Sequence, residues 1–158
     1  MESDRQVTPP SPEMGARDAL IREILLNAHT LAVVGLSSNP VRAGYYVPAY
    51  MQRAGYTIIP VNPGLSQALG LQSYPDLESI PIPVDCVVIF RRPEYIPGIV
   101  DQAVGIGVKY IWMQLGIRND AAAARARAAG LGVIMDSCMM IEHRRLSGRL
   151  KGSQGESG

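Results

Sequence analysis

The chain has 158 residues, of which 47% are hydrophobic and 18% charged, a balance typical of one folded domain rather than a disordered chain. A net charge of +1, with one Phe and one Trp, provides neither the basic surface nor the base-stacking platform that nucleic-acid binding needs. Two cysteines cannot form a disulfide framework, and the N-terminus lacks a signal-peptide pattern, so we expect a cytoplasmic protein. No apolar run reaches membrane-spanning length, so we expect no membrane partner.

The two ends of the chain differ in composition from its middle. Residues 1–14 are rich in Pro, Ser and charge, which predicts a flexible N-terminal arm. Residues 147–158 are dominated by Gly, Ser and Lys, which predicts a flexible C-terminal tail. We expect a single domain between them, over residues 15–146.

Apolar periodicity in this middle region predicts an alternation of helices and strands. The predicted strands cover residues 31–35, 56–61, 84–90, 108–112 and 131–135. The predicted helices cover residues 16–28, 45–54, 95–106 and 120–129, with one short turn near Asp76 and one or two turns over 138–145. Short apolar strands between helices are typical of a parallel sheet covered on both faces. The sequence therefore predicts a doubly wound α/β fold with a mostly parallel sheet of about five strands.

The first predicted strand runs into Gly35 and then into the small polar residues Ser37, Ser38 and Asn39. A helix follows this loop, and backbone N–H groups at a helix N-terminus bind phosphate. Arg42 adds a positive charge suited to paired hydrogen bonds with phosphate oxygens. We expect a phosphate-binding loop here, the alternative being an ordinary turn between strand and helix.

Ligands of doubly wound sheets bind outside the carboxyl ends of the strands. The segments that follow the five predicted strands are small, polar or basic, as a nucleotide cleft requires. They comprise residues 37–42, 62–64, 91–94, 114–116 and 136–138.

The glycine pattern does not favour a dinucleotide. Gly35 is followed by Leu36 and serines, so the G-x-G-x-x-G fingerprint is missing. The second strand ends at Asn62, where NAD binding would place a carboxylate. Arg91 and Arg92 follow the third strand and suit a ligand with more phosphate, such as coenzyme A (CoA). The alternative is an NAD(P)-dependent oxidoreductase on the same fold, since NADP can be bound through an Arg.

Five motifs in order resemble the stand-alone CoA-binding domain family of small bacterial proteins. They are Gly35-Leu-Ser-Ser-Asn-Pro-Val-Arg42, Ile59-Pro-Val-Asn-Pro63, Phe90-Arg-Arg-Pro-Glu94, Trp112-Met-Gln-Leu-Gly-Ile117, and Met135-Asp136 with Cys138 and Ile141-Glu-His143. The family is similar to the CoA-binding domain of the succinyl-CoA synthetase alpha subunit. The resemblance covers about residues 19–146 and implies a Rossmann-like domain that binds CoA across its strand ends.

The resemblance also implies roles for individual residues. Gly35, Ser37, Ser38, Asn39 and Arg42 would hold the pyrophosphate. Asn62 and Pro63 would lie near the adenosine end, Phe90, Arg91 and Arg92 would flank adenine and ribose, and Gln114 and Gly116 would border the path of pantetheine. Two positions depart from the pattern: Ala43-Gly44 stands where a Pro or Ser is expected before Tyr45, and Ser137 stands where a basic residue is expected before Cys138.

The sequence gives little indication of catalysis. Synthetases of this kind use a histidine on a separate domain, which this chain does not include. Cys138 and His143 have the spacing of a nucleophile pair or of a structural helix, and no third orienting group is evident. We expect no catalytic or metal-binding residue, and a protein that senses, carries or presents CoA or acyl-CoA. The sequence leaves open a partner enzyme of acyl-CoA metabolism and a homodimer.

Overall fold

The computed structural model of the chain describes the backbone of residues 12–155 and the side chains of residues 12–147. Five parallel strands form the main sheet, in the spatial order β2-β1-β5-β6-β7. They are β1 (Thr30–Val34), β2 (Thr57–Val61), β5 (Cys86–Ile89), β6 (Tyr110–Met113) and β7 (Gly132–Ile134). The predicted Rossmann-like α/β fold is therefore confirmed.

Five helices cover the two faces of this sheet. Their bounds are α1 (Pro12–Asn27), α2 (Ala43–Arg53), α3 (Ile96–Gly105), α4 (Asp120–Ala128) and α5 (Met139–Gly155). Helices α1, α2 and α5 bury apolar residues on one face, and α3 and α4 bury theirs on the other. Along β5, Cys86 and Val88 face the first layer while Val87 and Ile89 face the second, as the two-residue period of a strand requires. This double burial explains why the strands are continuous apolar runs.

The alanine-rich helix α4 has both of the end signals that its sequence predicts. The side chain of Asn119 accepts a hydrogen bond from the Ala122 N–H at 2.9 Å, which caps the N-terminus. Gly130 follows the helix with φ +95°, a conformation that glycine adopts without strain.

The structure adds a small hairpin that the sequence analysis did not predict. Strands β3 (Gln67–Ala68) and β4 (Leu71–Gln72) pair antiparallel around a turn in which Leu69 and Gly70 have positive φ. Two residues per strand are too few to produce a recognisable alternation of apolar and polar residues.

Both end helices extend beyond the predicted domain limits. Helix α1 begins at Pro12, a residue type whose fixed φ suits the first helical turn. Helix α5 continues to Gly155, well past the one or two turns predicted. Residues 1–11 and 156–158 lie outside the described residues, so the flexibility of both ends stays a prediction. None of the helices within residues 12–155 is long and apolar enough to cross a membrane.

Candidate functional site

The strand order places a crevice at the carboxyl ends of β1 and β5. The chain leaves β1 for β2 on one side and reaches β5 on the other, and such reversal points are where doubly wound sheets bind ligands. A cleft of about 460 Å³ lies there, on the face covered by α2. It is lined by Gly35, Ser37, Ser38, Arg42, Ala43, Gly44, Asn62, Leu65, Phe90 and Ile117.

Two glycines let the backbone segments of this cleft approach one another closely. Gly35 has φ +89°, and a Cβ there would lie 2.7 Å from the Phe90 carbonyl oxygen. A Cβ on Gly44 would lie 3.2 Å from the Gly35 carbonyl oxygen. Gly44, which departs from the family pattern, therefore lets α2 begin directly against the end of β1.

A proline inside α2 joins this helix to the loop that precedes it. Pro48 has no N–H, so the carbonyl of Gly44, four residues earlier, has no intrahelical donor. The Ser37 N–H donates to that carbonyl at 3.0 Å. The β1 loop, which we define as residues 35–42, is thus anchored to the first turn of α2.

The β1 loop uses only some of its backbone amides internally. The Asn39 N–H donates to Ser37 Oγ at 3.0 Å, and the Val41 N–H donates to Asn39 Oδ1 at 3.2 Å. The Gly35 N–H donates to Val61 O and the Arg42 N–H to Asn39 O. Gly35 and Asn39 therefore shape the loop and have no amide left for a ligand.

Three further amides, one in the loop and two in the first turn of α2, belong to residues that line the cleft. Ser38, Ala43 and Gly44 line the cleft, and their N–H groups have no acceptor among the described residues. The α2 N-terminus also has no side-chain cap, because Arg42 occupies the N-cap position. These donors stand at the positive end of a helix, which favours an anion.

One positive side chain lines the cleft, and a second follows the neighbouring strand β5. Arg42 is exposed and makes no ion pair with the described residues, although a cation at a helix N-terminus is electrostatically unfavourable unless an anion binds there. Arg92 is exposed at the start of a short 3-10 helix, Pro93–Tyr95. No carboxylate belongs to the lining of the cleft.

Asn62 connects the end of β2 to the β1 loop. Its Nδ2 donates to the Leu36 carbonyl at 2.9 Å, and its Oδ1 accepts from the Gly64 N–H at 2.8 Å. Both ends of the amide are engaged, so this residue fixes the wall of the cleft rather than offering a free acceptor.

A second hollow, of about 230 Å³, lies across the ends of β1 and β2 from the cleft. Val34, Val61, Pro63 and other mostly apolar residues line it, together with Arg91. The guanidinium of Arg91 stacks over the ring of Tyr95, 4.1 Å from its centroid. Phe90 therefore borders the cleft while Arg91 borders the hollow, and the residues predicted to lie near adenosine divide between the two.

The predicted pantetheine residues lie farther along the sheet edge. Gln114 is buried, and its Oε1 accepts from the Met139 N–H at 3.3 Å. Gly116 occupies an exposed turn with φ +82°, and its N–H donates to Asp136 Oδ1 at 2.6 Å. Neither residue lines the cleft, although Ile117, which the sequence analysis did not single out, does.

An arginine from another helix contacts the position where a basic residue is missing. Arg17 of α1 donates to the Ser137 hydroxyl and to the Met135 carbonyl, the latter at 3.1 Å. The indole N–H of Trp112 donates to the Ser137 carbonyl at 2.8 Å. The end of β7 is thus stabilised by a cation and an indole from distant parts of the sequence.

His143 belongs to the contact between α2 and α5. The Tyr50 hydroxyl lies 2.8 Å from its Nδ1, and the ring of Tyr56 packs edge-on against it. Burial lowers the pKa of His143 from its usual 6.5. Among the described residues, no group of three or more His, Cys, Asp or Glu is arranged to hold a metal ion. These contacts correspond to the structural alternative for the Cys138–His143 spacing.

The structure brings together half of the predicted site residues in the cleft itself. Those six are Gly35, Ser37, Ser38, Arg42, Asn62 and Phe90. Four lining residues were not predicted from the sequence: Ala43, Gly44, Leu65 and Ile117. The signal for Gly44 was a glycine immediately before the predicted helix 45–54, where a close backbone approach explains the absence of a side chain.

A family model, a curated relative and several solved structures match this chain. Residues 29–144 match the family model described as "CoA binding domain". An uncharacterized protein of Bacillus subtilis (strain 168), YneT, is 41% identical over 125 residues, covering 79% of this chain and 93% of that protein. A hypothetical protein from Pyrococcus horikoshii OT3 has a similar structure, with a TM-score of 0.82 and 36% identity, over 89% of this chain and 99% of the other.

A larger enzyme contains a similar domain. The dinucleotide-forming acetyl-coenzyme A synthetase 1 of Ca. Korarchaeum cryptofilum matches with a TM-score of 0.62 and 26% identity. The match covers 70% of this chain but only 26% of the synthetase. With the family model spanning most of the sequence and both small relatives matching nearly end to end, the chain belongs to the CoA-binding domain family.

Proposed function

We propose that this protein binds CoA or acyl-CoA in the cleft beside the β1 loop, as a sensor, carrier or accessory module without catalytic activity of its own. The observation that carries the proposal is the group of unengaged amides of Ser38, Ala43 and Gly44 beside the unpaired Arg42. A pyrophosphate provides the acceptors and the negative charge that these groups lack.

The shape of the crevice suits the remaining parts of CoA. Gly35 and Gly44 carry no side chain where the backbones converge, so a phosphate can approach the main chain closely. The mostly apolar hollow across the strand ends is suited to adenine, and Arg91 stacked on Tyr95 offers a flat cationic wall for a phosphate or a base. In this arrangement the nucleotide lies across the ends of β1 and β2.

The groups around the hollow do not favour a dinucleotide. At the end of β2, where NAD binding requires a carboxylate, Asn62 has both ends of its amide engaged within the protein. The hollow includes Asp76, whose Oδ1 accepts hydrogen bonds from the N–H and the hydroxyl of Ser79. This carboxylate caps the 3-10 helix Leu77–Ser79 and does not stand at the end of β2, where the dinucleotide fold places its acid.

An accessory role is supported by the similarity to the acetyl-coenzyme A synthetase. This chain corresponds to about a quarter of that enzyme, since the match covers 26% of it. We infer from this similarity that the protein presents CoA to another protein or reports its concentration.

Calorimetric titration of the purified protein with CoA, acetyl-CoA, NAD and NADP tests the proposal. We expect micromolar or tighter binding of CoA or acetyl-CoA, and binding of both nicotinamide nucleotides at least tenfold weaker. Arg42→Ala should weaken CoA binding about 10- to 150-fold, the effect of about 1.5–3 kcal/mol lost with a charged hydrogen bond.

Arg53→Ala is the matched control, because Arg53 is an exposed arginine at the opposite end of the same helix. Its affinity for CoA should equal that of the wild type. Equal affinities for CoA and NADP, or an unchanged affinity in folded Arg42→Ala, would contradict the proposal.

A further inference from the structure

A buried amide and a half-buried thiol lie at the same sheet edge as the cleft, farther from the β1 loop. Ile89 of β5 is paired with Met113 of β6. The next residues along the two strands, Phe90 and Gln114, are therefore also neighbours, and Phe90 lines the cleft. The Gln114 N–H donates to the Ile89 carbonyl at 3.3 Å, which holds this residue against the end of β5. Gln114 therefore lies one strand farther along the sheet edge than Phe90.

The side chain of Gln114 has an unused hydrogen-bond donor. Gln114 is 3% exposed, and its Oε1 accepts from the Met139 N–H. Its Nε2 has no partner among the described residues. A buried amide N–H₂ without an acceptor is costly, so the native structure offers a place where a ligand carbonyl would be stabilised.

Cys138 immediately precedes Met139, whose N–H donates to the Gln114 side chain. Its thiol is half-buried and packs in the same apolar layer as Phe90, while its carbonyl accepts from the Glu142 N–H at the start of α5. A thiol that attacks a disulfide has to be reachable from outside the core, and Cys138 is only partly buried. The other cysteine, Cys86, is fully buried in β5, and burial raises the pKa of its thiol.

The distance from the phosphate groups to this thiol matches the length of a pantetheine arm. Cys138 lies two to three strand spacings from the end of β1, about 10–14 Å across the sheet. Pantetheine has a main chain of about twelve atoms, the equivalent of four residues, and extends about 13–14 Å. A CoA held at the β1 loop can bring its sulfur to Cys138.

We propose that Cys138 is a redox-active site that forms a mixed disulfide with CoA, and that Gln114 Nε2 donates to the pantetheine carbonyl nearest the sulfur. The inference rests on the proposed CoA site. The co-reactant is CoA disulfide. The Cys138 thiolate attacks one sulfur of this disulfide, the Cys138–CoA sulfur bond forms, and the bond between the two CoA sulfurs breaks. The second CoA leaves as a thiolate and takes up the proton that Cys138 released, so the exchange involves no net oxidation.

The test compares CoA disulfide with glutathione disulfide as oxidants of the reduced protein, followed by intact mass and peptide mapping. We expect one CoA adduct on Cys138, removed by dithiothreitol and formed at least tenfold faster than the glutathione adduct. Arg42→Ala should lose this preference while reacting with glutathione disulfide at the wild-type rate, because only CoA is positioned by the phosphate site. Gln114→Met, which keeps the volume but lacks the donor, should slow the CoA reaction several-fold.

Calorimetry with reduced CoA separates the two proposals. Cys138→Ala should form no adduct, although Cys86 remains, and should still bind CoA. Wild-type protein that binds CoA but reacts equally with both disulfides, or not at all, would overturn the inference and leave the proposed function standing. Wild-type protein that does not bind CoA would overturn both.

Discussion

The two ends of the sheet's carboxyl edge differ in how they use their polar groups. At the β1 loop, three amides and the guanidinium of Arg42 have no partner within the described residues. At the opposite end, the N–H groups of Gly116, Asp136 and Ser137 all donate to protein oxygens, and Arg17 adds further bonds.

Under the proposed function, this difference separates a surface that binds a ligand from a surface that stabilises the fold. Donors bonded within the protein stabilise the end of β7, and a ligand would have to break those bonds to use them. An anion that binds to donors left free at a helix N-terminus displaces water and breaks no bond within the protein. Substitutions at Gly35, Arg42, Arg17 and Pro48 perturb one side of this comparison, and a substitution at His143 perturbs neither.

Replacing Gly35 at the base of the β1 loop should have the largest effect. In Gly35→Ala the left-handed backbone is strained, and the new Cβ lies 2.7 Å from the Phe90 carbonyl oxygen. We expect the free energy of unfolding to fall by about 2–5 kcal/mol, measured by urea denaturation. Gly55→Ala is the control, because Gly55 has φ +107° but nothing within 4 Å of the new Cβ. Equal losses in the two variants would show that close approach at Gly35 is unimportant.

Arg42 and Arg17 should give opposite results. Arg42→Ala should lose CoA affinity, as given above, while its free energy of unfolding stays within about 0.5 kcal/mol of the wild type. Arg17→Ala should lose about 1 kcal/mol of stability, through its bonds to Met135 and Ser137, and retain CoA affinity. Urea denaturation and calorimetry on both variants check this. A loss of affinity in Arg17→Ala would extend the binding surface to the end of β7.

Pro48→Ala should have a smaller effect that is confined to the β1 loop. The new N–H of residue 48 would compete with the Ser37 N–H for the Gly44 carbonyl. Losing one such bond is worth about 0.5–1.5 kcal/mol, so CoA affinity should fall about three- to tenfold. Amide hydrogen exchange at Ser37 should become faster. Unchanged exchange at Ser37 would show that the proline does not anchor the loop.

The smallest effect concerns His143, which lies outside both regions. Burial lowers its pKa below the usual 6.5, so the unfolded chain binds the proton more readily than the folded one. The stability that depends on neutral His143 is therefore present above about pH 6.5 and is lost as the pH falls. Because the ring is partly exposed, we expect no more than about 1 kcal/mol between pH 7 and pH 5.

Thermal unfolding of His143→Gln against pH measures this contribution. The variant should show a flatter dependence between pH 7 and pH 5, and its CoA affinity should not change. If the unfolding temperature of the variant depends on pH as strongly as that of the wild type, groups other than His143 cause the effect.

The fold was largely predictable because its signals are local. Apolar runs such as Leu31–Val34 and the Asn119 cap of α4 depend on neighbouring residues, and the structure contains both elements. The β1 loop was also recognisable as a chemical type, from a glycine, serines and an arginine after a strand. The β3–β4 hairpin and the length of α5 were missed, because two-residue strands have no periodicity and α5 is supported by contacts of Met139 and Leu146 with the distant core.

The sequence by itself determined the alternation of strands and helices, the place of the β1 loop after the first strand, and the family of the domain. Only the tertiary structure decided which amides of that loop are free, because their partners, such as the Val61 carbonyl for Gly35 and the Gly44 carbonyl for Ser37, are set by chain segments that meet in the fold. It also decided that Gln114 is buried beside Met139, 25 positions later in the chain. Hydrogen bonds between segments distant in sequence depend on packing geometry, which residue type and spacing do not encode locally.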